Sequence, residues 1–144
     1  MKILSLVERC GEKRSFHVPR VKAKTLRPIL TAQISVNARL MTDEYRSYVG
    51  VGKTFAEHGV VNHSIKEYAR GDVTTNTVES SFALLKRGLI GTFHHVGEQH
   101  LQRYATEFDF RWNHKEPTDG ERAATLLPQT GGKRLTYHQA GKSA

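Results

Sequence analysis

The chain has a single cysteine, Cys10, among its 144 residues. One cysteine excludes an internal disulfide and a cysteine-rich zinc site, and it fits a reducing cytoplasm. No apolar run approaches the roughly 18 residues of a membrane-spanning helix, so no membrane partner is expected. The opening stretch Met1–Arg9 is too short, and meets Glu8 and Arg9 too soon, for a secretory leader. There is no internal repeat and no low-complexity tract. Acids are in the minority. The 14 Asp and Glu against 22 Lys and Arg leave a net charge of +8. Surplus positive charge draws polyanions by steering and counterion release, which makes nucleic acid a candidate partner. At 38% hydrophobic content the chain can build one core of ordinary size.

Residues 2–9 read as a strand (Ile3, Leu4, Leu6 and Val7 apolar), 10–13 as a turn, and 14–21 as a second strand completing a hairpin. Pro19 places the far end of that strand at an edge or outside the sheet. Residues 25–34 read as a helix with Leu26, Ile29 and Leu30 on its apolar side and Pro28 within its first turn. Residues 38–42 form a short buried strand, 43–55 an irregular or helical segment, 59–63 another strand and 66–75 a polar loop. Asn76 or Thr77 is placed to cap the next helix. Inside it Val78, Phe82, Leu85 and Leu89 make a helical stripe, while Gly88 and Gly91 weaken its end. Residues 97–113 repeat the periodicity through Leu101, Tyr104, Ala105, Phe108 and Trp112. This order predicts a mixed α/β domain over 1–114, followed by a loosely held tail over 115–144.

Asp43 ends one buried strand and Glu79 opens the following strongly periodic helix, with 35 residues between them. Two carboxylates from a strand end and a helix can hold a divalent cation against a phosphate, because magnesium takes oxygen ligands from a few carboxylates and the substrate. Lys86 follows Glu79 by seven residues, so the two differ by only about 20° around the helix axis. With 14 acids in the chain some pair falls at any spacing, and the helix dipole alone favours a glutamate in a first turn. His94, His95, His100 and His114 invite a zinc reading, but no cysteine completes a familiar site, and surface or DNA-facing roles fit them better. Ser80, His63 and Asp72 lack the nucleophile elbow that would support a triad. Tyr104, Phe108, Phe110 and Trp112 have the spacing of core packing rather than of base stacking.

Thr75-Asn76-Thr77-Val78-Glu79-Ser80-Ser81-Phe82-Ala83-Leu84-Leu85-Lys86-Arg87-Gly88 resembles the third-acid helix of bacterial insertion-sequence DDE transposases of the ISXO-like group. Thr42-Asp43-Glu44-Tyr45-Arg46-Ser47-Tyr48 resembles their second-acid segment. The stretches Val7–Gly11 ("VER-x-G"), His63–Tyr68 ("HS-x-x-EY") and Glu107–Asn113 ("EF-x-FR-x-N") resemble further motifs in the same order, and the likeness runs from about residue 3 to residue 136. The resemblance implies a ribonuclease-H-like mixed sheet flanked by helices, related to retroviral integrases. It implies DNA transposition: metal-dependent strand cleavage and strand transfer by a DNA-binding enzyme using two Mg2+ or Mn2+ ions. Asp43 and Glu79 match catalytic, metal-holding acids. Lys86, Arg87 and Asn76 match DNA-contacting or flanking positions. The implied partners are insertion-sequence ends and target DNA, with a possible homo-oligomer on paired ends, in a bacterial cytoplasm.

Three departures stand out. Nothing here matches the N-terminal DNA-binding region, often a zinc ribbon, of related sequences. No residue matches the family's first Asp, whose strand would lie centrally, between the "VER-x-G" hairpin and the Asp43 strand. Position 75 is Thr, where related sequences usually carry His. The resemblance therefore implies an N-terminally truncated domain without its first, central strand. Unpaired interior backbone would make it marginally stable, and the absent acid would make it catalytically deficient alone unless an upstream fragment complements it. Two other readings stay open: an inactive remnant that only binds DNA, and a basic nucleic-acid-binding module unrelated to transposition.

Overall fold

The computed structural model describes residues 2–132, so the end of the tail and of the 3–136 likeness lies outside the described residues. The fold is mixed α/β. Strands β1 (Ile3–Val7) and β2 (Lys13–His17) form an antiparallel hairpin, with Leu4 opposite Phe16 and Leu6 opposite Arg14. Helix α1 (Ala23–Gln33) leads to β3 (Arg39–Asp43), α2 (Arg46–Gly52) and β4 (Glu57–Val61), and β3 and β4 pair in parallel, Asp43 opposite Val61. The expected polar loop contains a small hairpin, β5 (Ala69–Arg70) and β6 (Val73–Thr74), turning at Gly71 with φ 62°. Then come α3 (Asn76–Gly91) and α4 (Leu101–Asn113), the latter entered through a 3-10 turn at Glu98–His100.

The strands do not join into one sheet. They stand as three two-stranded pieces among the described residues. One apolar layer nevertheless unites the two larger pieces. Leu26 and Leu30 of α1 are fully buried against Leu4 of β1, Leu40 of β3, Val18, Val51 and Phe55. Alternation along a strand sends Leu4, Leu6 and Leu40 to this layer. Among the described residues β1 and β3 are each paired along one edge only.

The outer edge of β2 is closed by side chains of α4. Asn113 accepts from the Lys13 N–H (2.7 Å) and donates to the Lys13 carbonyl (2.9 Å). Asp109 accepts from the Ser15 N–H (2.5 Å), Gln102 donates to the Ser15 carbonyl (2.9 Å), and Gln102 accepts from the His17 N–H (2.7 Å). Residues 102, 109 and 113 recur at helical spacing, so one stripe of α4 stands in for a strand and blunts an edge that would otherwise invite pairing. Lys13, expected in a turn, instead begins β2 and is 2% exposed. Its ammonium pairs with Asp109 at 3.2 Å.

Two local expectations are corrected. Helix α1 begins at Ala23, which makes Pro28 its sixth residue rather than a first-turn residue. Pro28 is exposed, and the burial of Leu26 and Leu30 on the other side carries the helix past it. Gly88 does not fray α3, which continues to Gly91. A Cβ at Gly88 would meet the Phe108 ring, so the glycine admits the close approach of α4. After a first compact unit ending at Asn113, the chain forms a further helix. Helix α5 (Asp119–Leu126) is started by a capping box in which Thr118 and Glu121 satisfy each other's backbone N–H groups.

Candidate metal and nucleic-acid site

Asp43 closes β3, where the strand must give way to α2. The Tyr45 N–H donates to its Oδ1 at 3.1 Å, an Asx turn that fixes the carboxylate and leaves Oδ2 without a hydrogen bond to any described residue. Glu79 lies in the first turn of α3. Its Oε1 accepts from the Thr75 hydroxyl at 2.5 Å and lies 3.2 Å from His63 Nε2, again leaving the second oxygen without such a bond. Both acids line one cavity of about 120 Å3, together with His63, Thr75, Thr42, Tyr48 and the apolar side chains of β1. Burial, reinforced by the Asp43 charge, pushes the Tyr48 hydroxyl up to about 12, so it stays protonated beside the carboxylate.

Glu44 ties down the other wall. Its carboxylate accepts from the Ser64 hydroxyl (2.8 Å), the His63 N–H (3.0 Å) and the Ser64 N–H (3.1 Å). These donors, the Ser64 hydroxyl foremost, bring Glu44 down to about 2. Glu67 accepts from the Asn62 N–H at 3.0 Å, and the Tyr68 ring lies 5.6 Å from that of His63. The "HS-x-x-EY" residues thus form a tied loop that presents His63 to the acids. Sequence reasoning missed His63 as a neighbour of Glu79. The available signal was the adjacency of Asp43 to Glu44, whose role becomes visible only through contacts 19 and 20 residues away.

A second cavity, about 460 Å3, continues along the gap between the strands. Ser5–Arg9 and Arg14 line it from the hairpin side, Ala38–Met41 from the β3 side, and Thr77 and Val78 of α3, with Thr74 and Thr75 just before that helix, complete the lining. Arg9 bridges the gap at its far end. It donates to the Asp72 carbonyl at 2.6 Å and reaches Met41 Sδ at 3.2 Å, while Arg39 pairs with Asp72 and Glu57.

Asn76, Lys86 and Arg87 are exposed on α3, Asn76 at its first position and the two cations two turns beyond Glu79. His94, His95 and His100 are exposed. Among the described residues no group of three or more His, Cys, Asp or Glu is placed to hold one metal ion. Asp72 is bound by arginines and His63 faces Thr75, so the Ser80–His63–Asp72 combination is not assembled. Tyr104 packs edge-on against Phe93 at 4.7 Å, which is core packing rather than a stacking platform. No described helix is long and apolar enough to cross a membrane.

No solved structure matches the chain. It is 28% identical over 99 residues, 69% of its own length and 79% of the other's, to a Haemophilus influenzae protein described as an uncharacterized transposase-like protein. The profile of the ISXO2-like transposase domain matches residues 1–113, the whole of the first compact unit. The chain belongs to the ISXO2-like transposase family, and its function is related to transposition.

Proposed function

We propose that this domain performs metal-dependent DNA strand cleavage and strand transfer on a ribonuclease-H-like scaffold, with Asp43 and Glu79 holding Mg2+ or Mn2+. The observation that carries the reading is the shared cavity, in which each acid keeps one oxygen tied and one open. The donors fit the ion. Magnesium accepts one or two carboxylates and fills its remaining positions with water and substrate phosphate. A water needs roughly 10–15 Å3 of such space, so about 120 Å3 accommodates a hydrated cation. When bound, the metal would activate an oxygen nucleophile and stabilise the leaving oxygen. The chain's own part is positional. Asp43 and Glu79 fix the cation, the tied His63 loop walls the site, and Lys86, Arg87 and Asn76 on α3 hold DNA backbone beside it.

The gap between β1 and β3 is where a further strand carrying a third carboxylate completes the site, so these two acids alone give deficient catalysis. The test uses purified protein, Mg2+ or Mn2+ and labelled DNA from the ends of the element, with and without an upstream fragment bearing that acid. Cleavage is expected when the fragment is added and is lost in Asp43→Asn and Glu79→Gln. Cleavage that survives both substitutions overturns the metal assignment, and vigorous cleavage by this chain alone overturns the deficiency. Lys86→Ala and Arg87→Ala should each weaken DNA binding and lower the salt slope by about 1.

A second reading, a remnant that binds DNA without cutting it, is favoured by the absence of a three-ligand cluster among the described residues. It predicts DNA affinity indifferent to EDTA and to both acid substitutions.

A further inference from the structure

Thr75 occupies the N-cap position of α3 but does not cap it. Its side chain makes no bond to the helix backbone. The hydroxyl donates instead to Glu79 Oε1 at 2.5 Å, and its oxygen lies 3.2 Å from His63 Nε2. The proton count fixes the direction of this chain. The hydroxyl has spent its one proton on the carboxylate, so its oxygen accepts and the ring nitrogen must donate. Nε2 of His63 therefore carries a proton, and that N–H faces Thr75 with Glu79 Oε1 3.2 Å away. Thr75 is buried, and the His63 side chain is 30% exposed. The imidazole does not float, because Glu44 holds the backbone N–H groups of His63 and Ser64.

We propose that His63 and Thr75 are positioning residues that hold one oxygen of Glu79 so that the other points into the cavity shared with Asp43. Thr75 bonded to Glu79, with His63 bonded to Thr75 behind it and 3.2 Å from the same oxygen, removes the freedom of a three-torsion side chain before any cation arrives. The free arrangement of the acid is then already its binding arrangement, and the rotamer entropy lost on metal binding falls. An N-capping Thr would give the same helix start without this relay, so the backbone alone does not account for the choice. The proposal rests on the metal-holding role of Asp43 and Glu79.

The test measures Mn2+ binding by titration calorimetry and reads the His63 tautomer from long-range 1H–15N spectra above pH 8. Thermal melting serves as the folding control. Thr75→Val and His63→Ala should each weaken Mn2+ binding by about tenfold, at the low end of what outer partners of metal ligands contribute. Thr75→Ser, which keeps the donor, and His63→Gln, which keeps a nitrogen donor at the Nε2 position, should restore it. The wild-type ring should show Nε2–H. The proposal is overturned on its own if Asp43→Asn and Glu79→Gln lose Mn2+ while Thr75→Val and His63→Ala bind as the wild type does, or if the ring is protonated at Nδ1. If Asp43→Asn and Glu79→Gln bind Mn2+ like the wild type, the metal reading itself fails. If Thr75→Val does not fold, the His63→Ala and His63→Gln pair decides the matter.

Discussion

The buried pair between Lys13 and Asp109 offers the sharpest test of how the hairpin is held. Lys13 is 2% exposed and its ammonium has Asp109 3.2 Å away. Asp109 also accepts the Ser15 N–H at 2.5 Å and the Ser15 hydroxyl at 2.7 Å, and that hydroxyl meets Ser5 on β1 at 2.7 Å. Asp109→Ala removes an anion and strands a cation in the interior. Breaking a buried pair from one side costs about 3–5 kcal/mol, because the remaining charge is uncompensated. At roughly 4 °C per kcal/mol for a domain near this size, the melting point should fall by about 12–20 °C. The informative comparison is Lys13→Met with Asp109→Ala in one chain. Without the ammonium the double variant leaves only the Ser15 N–H wanting a partner, about 1–3 kcal/mol. It should therefore be more stable than Asp109→Ala alone, and denaturant melts of the four-member cycle measure the coupling. A single Asp109→Ala loss below about 1 kcal/mol, or a double variant no more stable than the single, would refute the reasoning.

Two further outcomes follow from local geometry. Glu44 sits near 2 when folded against an ordinary 4.5, so its contribution is fully present above about pH 4.5 and is lost as the pH falls towards 2; the melting-point gap between wild type and Glu44→Gln should narrow over that window, and a constant gap would contradict the tether. A Cβ at Gly52 would land on the His58 ring, which is held by Thr42 Oγ1 at 2.9 Å, so Gly52→Ala should lower stability by about 1–3 kcal/mol despite its better helix propensity, and a higher melting point would show that the ring yields freely.

Much of the architecture was readable from residue pattern. Leu26, Ile29 and Leu30 marked the apolar side of α1, and Val78, Phe82, Leu85 and Leu89 marked that of α3, because a 3.6-residue period survives in any context. The placement of Asp43 at a strand end and of Glu79 in the first turn of a helix was legible too, since each lies at the boundary of a recognisable element. What pattern missed were residues whose partners are remote. Lys13 looked like a turn lysine, and only Asp109, 96 residues later, gives it a reason to be buried. Gln102, Asp109 and Asn113 lie outside the apolar stripe read for their helix, yet they serve as the missing neighbour of a strand. The helix over Asp119–Leu126 was hidden by a composition rich in loop residues, although its Thr-x-x-Glu start was a local cue.

The amino-acid sequence by itself determined the kinds of element, their order, the surplus of positive charge and the family to which the motifs point. These depend on local periodicity, side-chain chemistry and composition. Only the tertiary structure decided that Asp43 and Glu79 share a cavity, that Thr75 ties Glu79 with His63 behind it, and that residues of β1 and β3 line a second cavity together. The physical reason is that each of these depends on where α1 and α3 bring distant backbone together, and distance along a chain carries no record of distance in space.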